Sequence, residues 1–207
     1  MENSFKEISI KEYTRELSSS EAVPGGGGTS ALVGALAVSL GNMVGSLTVG
    51  KKKYQDVEDE IKDLMARGES LRLRLLDLID KDAESFIPLA AAYRIDKEDP
   101  NRDEIMEKAL KGASMVPLDI IKACKEVVEI IEILAEKGSR LAVSDAGAAA
   151  TLVKAAAEAA VLNIYINTKF MKNRNYAENQ NKIANNLVKE CVERAEGVYG
   201  KVVENLM

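Results

Sequence analysis

From Ala22 to Gly50 the chain carries no charged residue, and Lys51-Lys52-Lys53 follow at once. The apolar part of this stretch, Ala31 to Val49, is just long enough to cross a bilayer as a helix, and a positive flank suits such a span. Gly25-Gly26-Gly27-Gly28 at its start, and Thr29, Ser30, Ser39, Asn42, Ser46 and Thr48 within it, favour a helix enclosed by other helices. Gly34, Gly41 and Gly45 recur at helical spacing. Glycine lowers helix propensity, so these positions imply close approach of another backbone or of a ligand. The Gly41/Gly45 pair also permits a tight helix crossing, a device best known in membranes.

The remaining segments read as helix after helix. Ser9-Ile10-Lys11-Glu12 has the form of a capping box, with Ile10, Tyr13 and Leu17 on one face and Ser18-Ser19-Ser20 at the end. An amphipathic pattern runs from Asp56 to about Arg94, where Pro88 is expected to kink or restart the helix. Asp99 and Pro100 read as N-cap and first residue of a shorter helix that Pro117 punctuates, with Gly138 as the C-cap of the following one. Another helix begins near Ser144-Asp145, and nine of the fifteen residues from Ala146 to Ala160 are alanine. The last carries Ala184, Val188, Cys191, Ala195, Val198 and Val202 in a 4-3-4-3-4 rhythm. The expected fold is all-α: one domain, a bundle of six to eight helices around a long buried Gly/Ala-rich helix.

Composition narrows the chemistry. None of the 207 residues is histidine, which removes Ser-His-Asp and Cys-His triads, histidine-based zinc sites and the usual proton shuttle near neutral pH. Acids and bases must then be carboxylates, amines, hydroxyls or the substrate itself. Cys124 and Cys191, the two cysteines, lie far apart in apolar helical patterns, as buried thiols do in a reducing cytoplasm. The net charge of −5 and the absence of a basic tail argue against nucleic acid as partner, and the amino terminus lacks the apolar core of a signal peptide.

Two glycine motifs are near misses. Gly26 to Ala31 fits GxGxxA without a preceding strand or a suitably placed acidic residue, and Gly45 to Lys51 fits GxxxxGK with Lys52 in place of the magnesium-binding hydroxyl. Gly25 to Gly28 at a helix start form either a flexible turn or a place where backbone N–H groups meet a negative ligand. Asn163 and Asn167, one turn apart in an apolar helix, need partners on another helix or on a ligand. Asp82 reads as part of a solvated face or as a functional carboxylate, and Asp145 as a cap or a functional carboxylate. Lys51-Lys52-Lys53-Tyr54 reads as a solvated face or as a basic patch for an acidic ligand.

In order along nearly the whole chain, several segments resemble formiminotetrahydrofolate cyclodeaminases, a family whose relatives include methenyltetrahydrofolate cyclohydrolases. They are Pro24 to Ala31, Asn42 to Gly45, Thr48 to Tyr54, Asp80 to Phe86, Val116-Pro117-Leu118, Ser144-Asp145 and Asn163 to Asn167. Gly138-Ser139 departs from the family's Gly-Asn. The resemblance implies a helical, soluble, cytoplasmic, dimeric enzyme, with residues 1–207 as a single stand-alone module. Some relatives fuse the module to a formiminotransferase, which implies a functional link to that activity and to histidine degradation.

The implied reaction converts 5-formiminotetrahydrofolate to 5,10-methenyltetrahydrofolate and ammonia, with no metal and no cofactor beyond the tetrahydrofolate substrate. N10 attacks within one molecule, so orientation supplies much of the rate. By this resemblance Asp82 and Asp145 become the first candidates for proton transfer and cation stabilisation. Asn163 and Asn167 become candidates for the pterin edge, Gly25, Gly26, Gly27 and Gly28 for the flat ring or a carboxylate, and Lys51 and Lys52 for the glutamate tail. Asn42, Tyr54 and Ser144 are expected to line the same site. Two other readings stand beside this one: a cyclohydrolase using water at the same carbon, and a non-enzymatic helical scaffold or membrane-anchored bundle.

Overall fold

Ser9 starts the first helix, α1 (Ile10–Leu17), by accepting the Glu12 N–H on its Oγ at 3.1 Å, and Tyr13 is the side chain this helix buries. The computed structural model describes residues 4–207. Gly25 then caps α2 (Gly26–Ser46), the uncharged segment. It is followed by a 3-10 turn (Lys52–Val57) and α3 (Glu58–Ala92), and then α4 (Arg102–Lys137). After a second 3-10 turn (Arg140–Ala142) come α5 (Val143–Phe170) and α6 (Arg174–Leu206), the latter capped by the Asn173 side chain on the Tyr176 N–H. Among the described residues there is no strand.

α2 packs on α3, α4 and α5, while α5 also meets α4 and α6. Small residues make this possible. A Cβ on Gly34 would lie 3.2 Å from Leu75 and 3.5 Å from the Cys124 sulfur, and one on Gly41 would touch Ile131 at 3.5 Å. The alanine face of α5 is buried in the same way, at Ala146, Ala149, Ala150, Ala156, Ala157 and Ala160. By length and hydropathy α2 and α5 could each cross a membrane, yet their small residues are enclosed by neighbouring helices. Gly26 of α2 approaches Asn163 near the end of α5, whereas Val44 approaches Gly138 just before its start, so the two helices run antiparallel. Cys124 and Cys191 are buried in the core, where loss of solvent pushes the Cys191 thiol up to about 12.

Three local expectations are corrected. Pro88 does not restart a helix: α3 runs through it to Ala92, and the proline itself is exposed. Pro117 does not divide two helices either, because α4 runs unbroken past it with Leu110, Ala113, Ile120 and Ile121 buried on both sides. The helix expected to begin at Pro100 begins at Arg102. Asp99 instead accepts the Asn101 N–H at 2.8 Å and closes a turn before it.

Candidate active site

The first turn of α2 binds a negative group belonging to the chain itself. The Gly28 N–H donates to Asp82 Oδ2 at 2.8 Å, bridging α2 to the C-terminal part of α3. The sequence rationale for the glycines becomes specific here. A Cβ on Gly27 would sit 2.2 Å from Asp82 Oδ1, so only glycine leaves room for that carboxylate. On Gly28 it would lie 3.4 Å from the Ile79 carbonyl, and on Gly26 3.4 Å from the Asn163 amide, while Gly25 has ordinary space. Asp80, two positions away, is otherwise engaged: it accepts Ser4 Oγ and the Phe5 N–H, tying down the segment before α1. α1 itself carries Tyr13, which packs edge-on against Phe5 and places its hydroxyl 3.4 Å from Thr29 Oγ1 beside the glycine turn.

Asp82 lies at the wall of a cavity of about 210 Å³ that Gly25, Gly26, Asn163 and Asn167 also line. Desolvation pushes its carboxyl above the ordinary carboxylate value, and the single Gly28 N–H only partly opposes this. Asn163 donates Nδ2 to the Ala159 carbonyl at 3.1 Å, and Asn167 donates Nδ2 to the Asn163 carbonyl at 2.9 Å. Both amide oxygens are thereby left as acceptors without a hydrogen-bond partner among the described residues. Both asparagines face the cavity. Such a wall, with a carboxylate, amide acceptors and the N–H groups at the start of α2, suits a flat polar ring and a group gaining positive charge.

The other candidates stand at the opposite end of the bundle. Lys51 Nζ donates to Ser139 Oγ at 3.4 Å, the Ser139 N–H donates to buried Thr48 Oγ1 at 2.8 Å, and the Arg140 N–H donates to Tyr54 Oη at 3.1 Å. That last bond holds the Tyr54 phenol below its ordinary value. Lys52 is exposed beside them, Ser144 is exposed at the start of α5, and Asp145 is half-buried in the first turn. At 1.5 Å per residue, the eighteen positions from Asp145 to Asn163 separate the two ends by about 27 Å. One chain therefore brings Asp82, the glycines, Asn163 and Asn167 together, and a different group of Lys51, Lys52, Tyr54, Ser144 and Asp145. Asn42 belongs to neither. Its Nδ2 donates to the Met65 carbonyl at 3.3 Å, and its buried Oδ1 fills the space left by Gly68 on α3.

A larger cavity, about 450 Å³, lies between the ends of α4, α5 and α6, where Glu132, Glu136 and Glu204 face Arg140 and Lys201. It holds none of the candidate residues. Among the described residues no three acidic, cysteine or histidine side chains converge as a metal cage. Sequence reasoning assigned no site role to Ser85, Phe86, Ala113, Pro117 and Ile166, which with Ala22 and Val23 complete the Asp82 cavity. Ser85 and Phe86 follow Asp82 on α3, and Pro117 belongs to the Val116-Pro117-Leu118 segment, so the available signal was proximity to motifs already noted.

A family model described as formiminotransferase-cyclodeaminase matches residues 9–186. A methenyltetrahydrofolate cyclohydrolase of Methylorubrum extorquens is 38% identical over 93% of this chain and 95% of its own. The formimidoyltransferase-cyclodeaminase of Rattus norvegicus is 27% identical over 97% of this chain, which spans only 38% of that longer protein. The crystal structure of formiminotetrahydrofolate cyclodeaminase from Thermotoga maritima superposes with a TM-score of 0.84 at 31% identity, covering 96% of this chain and 98% of that one.

Proposed function

The chain belongs to the formiminotransferase-cyclodeaminase family of folate one-carbon metabolism, and from that premise we propose that it converts 5-formiminotetrahydrofolate to 5,10-methenyltetrahydrofolate and ammonia. The observation that carries this reading is the Asp82 carboxylate, held by the Gly28 N–H at the wall of an acceptor-rich cavity. The N10 lone pair attacks the carbon of the formimino group, made electrophilic by protonation of its imino nitrogen, and forms a third C–N bond to it. Asp82 takes the N10 proton and passes it to the departing nitrogen, which leaves as ammonia with the electrons of its bond to carbon. The product is a cation, and the adjacent carboxylate stabilises it. Asn163 and Asn167 bind the pterin edge, while Lys51 and Lys52 receive the glutamate tail.

The cavity is smaller than the ~300–1,000 Å³ of a complete small-molecule site. Beside it runs an exposed uncharged face made by Leu36 and Met43 of α2 and Leu47 just after it, with Ala155, Leu162 and Ile166 of α5. A second copy laid antiparallel on this face covers the apolar residues. Its Lys51–Asp145 end then stands over the Asp82 end of the first chain, so the homodimer completes two sites. In this reading the enzyme is soluble and acts in the cytoplasm, in functional succession to a formiminotransferase.

A second reading is favoured by the 38% identical relative named as a cyclohydrolase: water attacks the methenyl carbon, with Asp82 taking its proton. One spectroscopic assay separates them. With 5-formiminotetrahydrofolate, methenyl absorbance and ammonia should rise together in the wild type and fall by ~10²–10⁴-fold in Asp82→Asn. Loss of methenyl absorbance without any activity on the formimino substrate assigns the cyclohydrolase. Near-normal turnover in both Asp82→Asn and Asp145→Asn removes the carboxylates from the mechanism.

A further inference from the structure

Pro117 lies inside α4, buried, and lines the Asp82 cavity, yet no step above uses it. A proline has no N–H for the carbonyl four residues earlier, which here is that of Ala113. In a helix that carbonyl points along the axis toward residue i+4, so the Ala113 oxygen lies against the Pro117 ring. Ala113 and Pro117 both line the cavity, so the carbonyl that Pro117 leaves without its helical partner belongs to the stretch of α4 that forms this wall. Ala113 is 5% exposed, and a buried carbonyl without a donor is costly, so a bound donor there is favoured. Around it stand Asn163 and Asn167, each with Nδ2 returned to its own helix.

We propose that the Ala113 carbonyl, freed by Pro117, is a specificity-determining acceptor for the exocyclic amino N–H on the substrate's pyrimidine edge. The ligand edge it fits carries adjacent N–H donors, as the 2-amino-4-oxo-pyrimidine edge of a reduced pterin does. Val116-Pro117-Leu118 then has a binding role in place of the helix boundary it suggests in sequence. The inference rests on the folate reading and deepens it, since it names the face of the ligand that the site reads.

The test compares binding of tetrahydrofolate and of its 2-desamino-2-methyl analogue to the wild type, Pro117→Ala and Pro88→Ala. Pro117→Ala restores the helical N–H, so the Ala113 oxygen is bonded internally and its helix should be no less stable. The wild type should prefer tetrahydrofolate by ~10-fold, the worth of one hydrogen bond. Pro117→Ala should lose most of that preference while its Tm is kept or raised, with KM increased and kcat within about twofold. Pro88→Ala, altering an exposed proline outside the cavity lining, should discriminate as the wild type does. Equal binding of both ligands by the wild type, or full discrimination by Pro117→Ala, overturns the inference. The first of these results needs no variant, so it decides even if Pro117→Ala misfolds. Absence of any tetrahydrofolate binding by the wild type overturns instead the folate reading on which the inference stands.

Discussion

A carboxylate drawn partly out of water keeps its charge only as far as donors reach it, and Asp82 has one, the Gly28 N–H. Burial outweighs that bond, so its folded-state value stands above the ordinary one. The native protein then holds this proton more tightly than the unfolded chain does. The stability associated with the neutral carboxyl is fully present below about pH 4 and is lost as pH rises through the raised native value. Asp82→Asn keeps an acceptor for Gly28 and never ionises. In urea denaturation it should match the wild type near pH 3–4 and become relatively more stable toward pH 7, while its activity is lost. A stability difference independent of pH would contradict this account of Asp82. Residue type and local charge pattern alone do not separate this residue from Asp80; only the family resemblance singled it out. Their different roles arise because Asp80 faces the segment at Ser4 and Phe5, and Asp82 faces the glycine turn.

At the scale of elements, α2 was the most legible part of the chain. Its lack of charge and its spaced glycines predicted a helix in close contact with others, and Gly34 and Gly41 meet Leu75, Cys124 and Ile131 as that spacing requires. The glycine turn was only half legible. Spacing implied exposed N–H groups, but the group that reaches Gly28 is a side chain from 54 residues away, a long-range pairing that no local pattern encodes. The prolines misled for a related reason: local rules predict breaks, whereas buried residues on both sides carry α4 through Pro117. Gly27→Ala tests the turn directly. The added methyl would lie 2.2 Å from Asp82 Oδ1, so the carboxylate must move. Activity should fall by ~100-fold with the helical circular dichroism retained, since losing the position of one catalytic group has an effect of that order. Gly112→Ala on α4, with nothing within 4 Å of its Cβ, should instead gain about 0.5–1 kcal/mol of stability with unchanged turnover. Equal effects of the two substitutions would show that helix propensity, and not the carboxylate, governs the turn.

For the whole molecule, the chain order of the motifs concealed their separation in space. Gly25 to Gly28 and Lys51 are close in sequence, but the long α2 carries them to opposite ends, and α5 does the same to Asp145 and Asn163. A single site using both groups therefore needs a second chain, and the two-fold antiparallel pairing proposed above supplies it, one Lys51–Asp145 end to each Asp82 end. This arrangement makes a quantitative demand. Mixing equal amounts of Asp82→Asn and Asp145→Asn after dissociation and reassembly gives half heterodimers, each with one doubly altered site and one intact site. Activity should then return to about a quarter of the wild-type level, although each variant alone is inactive. Replacing Met43 by Glu on the shared face should abolish both the dimer and the complementation, because a charge would be buried against an apolar partner. If Asp82 and Asp145 instead serve separate sites within one chain, mixing restores nothing, and light scattering of active enzyme at micromolar concentration gives a monomer. The Gly/Ala packing of α2 and α5 is compatible with either result, because it fixes the spacing within one bundle and leaves the outer apolar residues to decide what covers them.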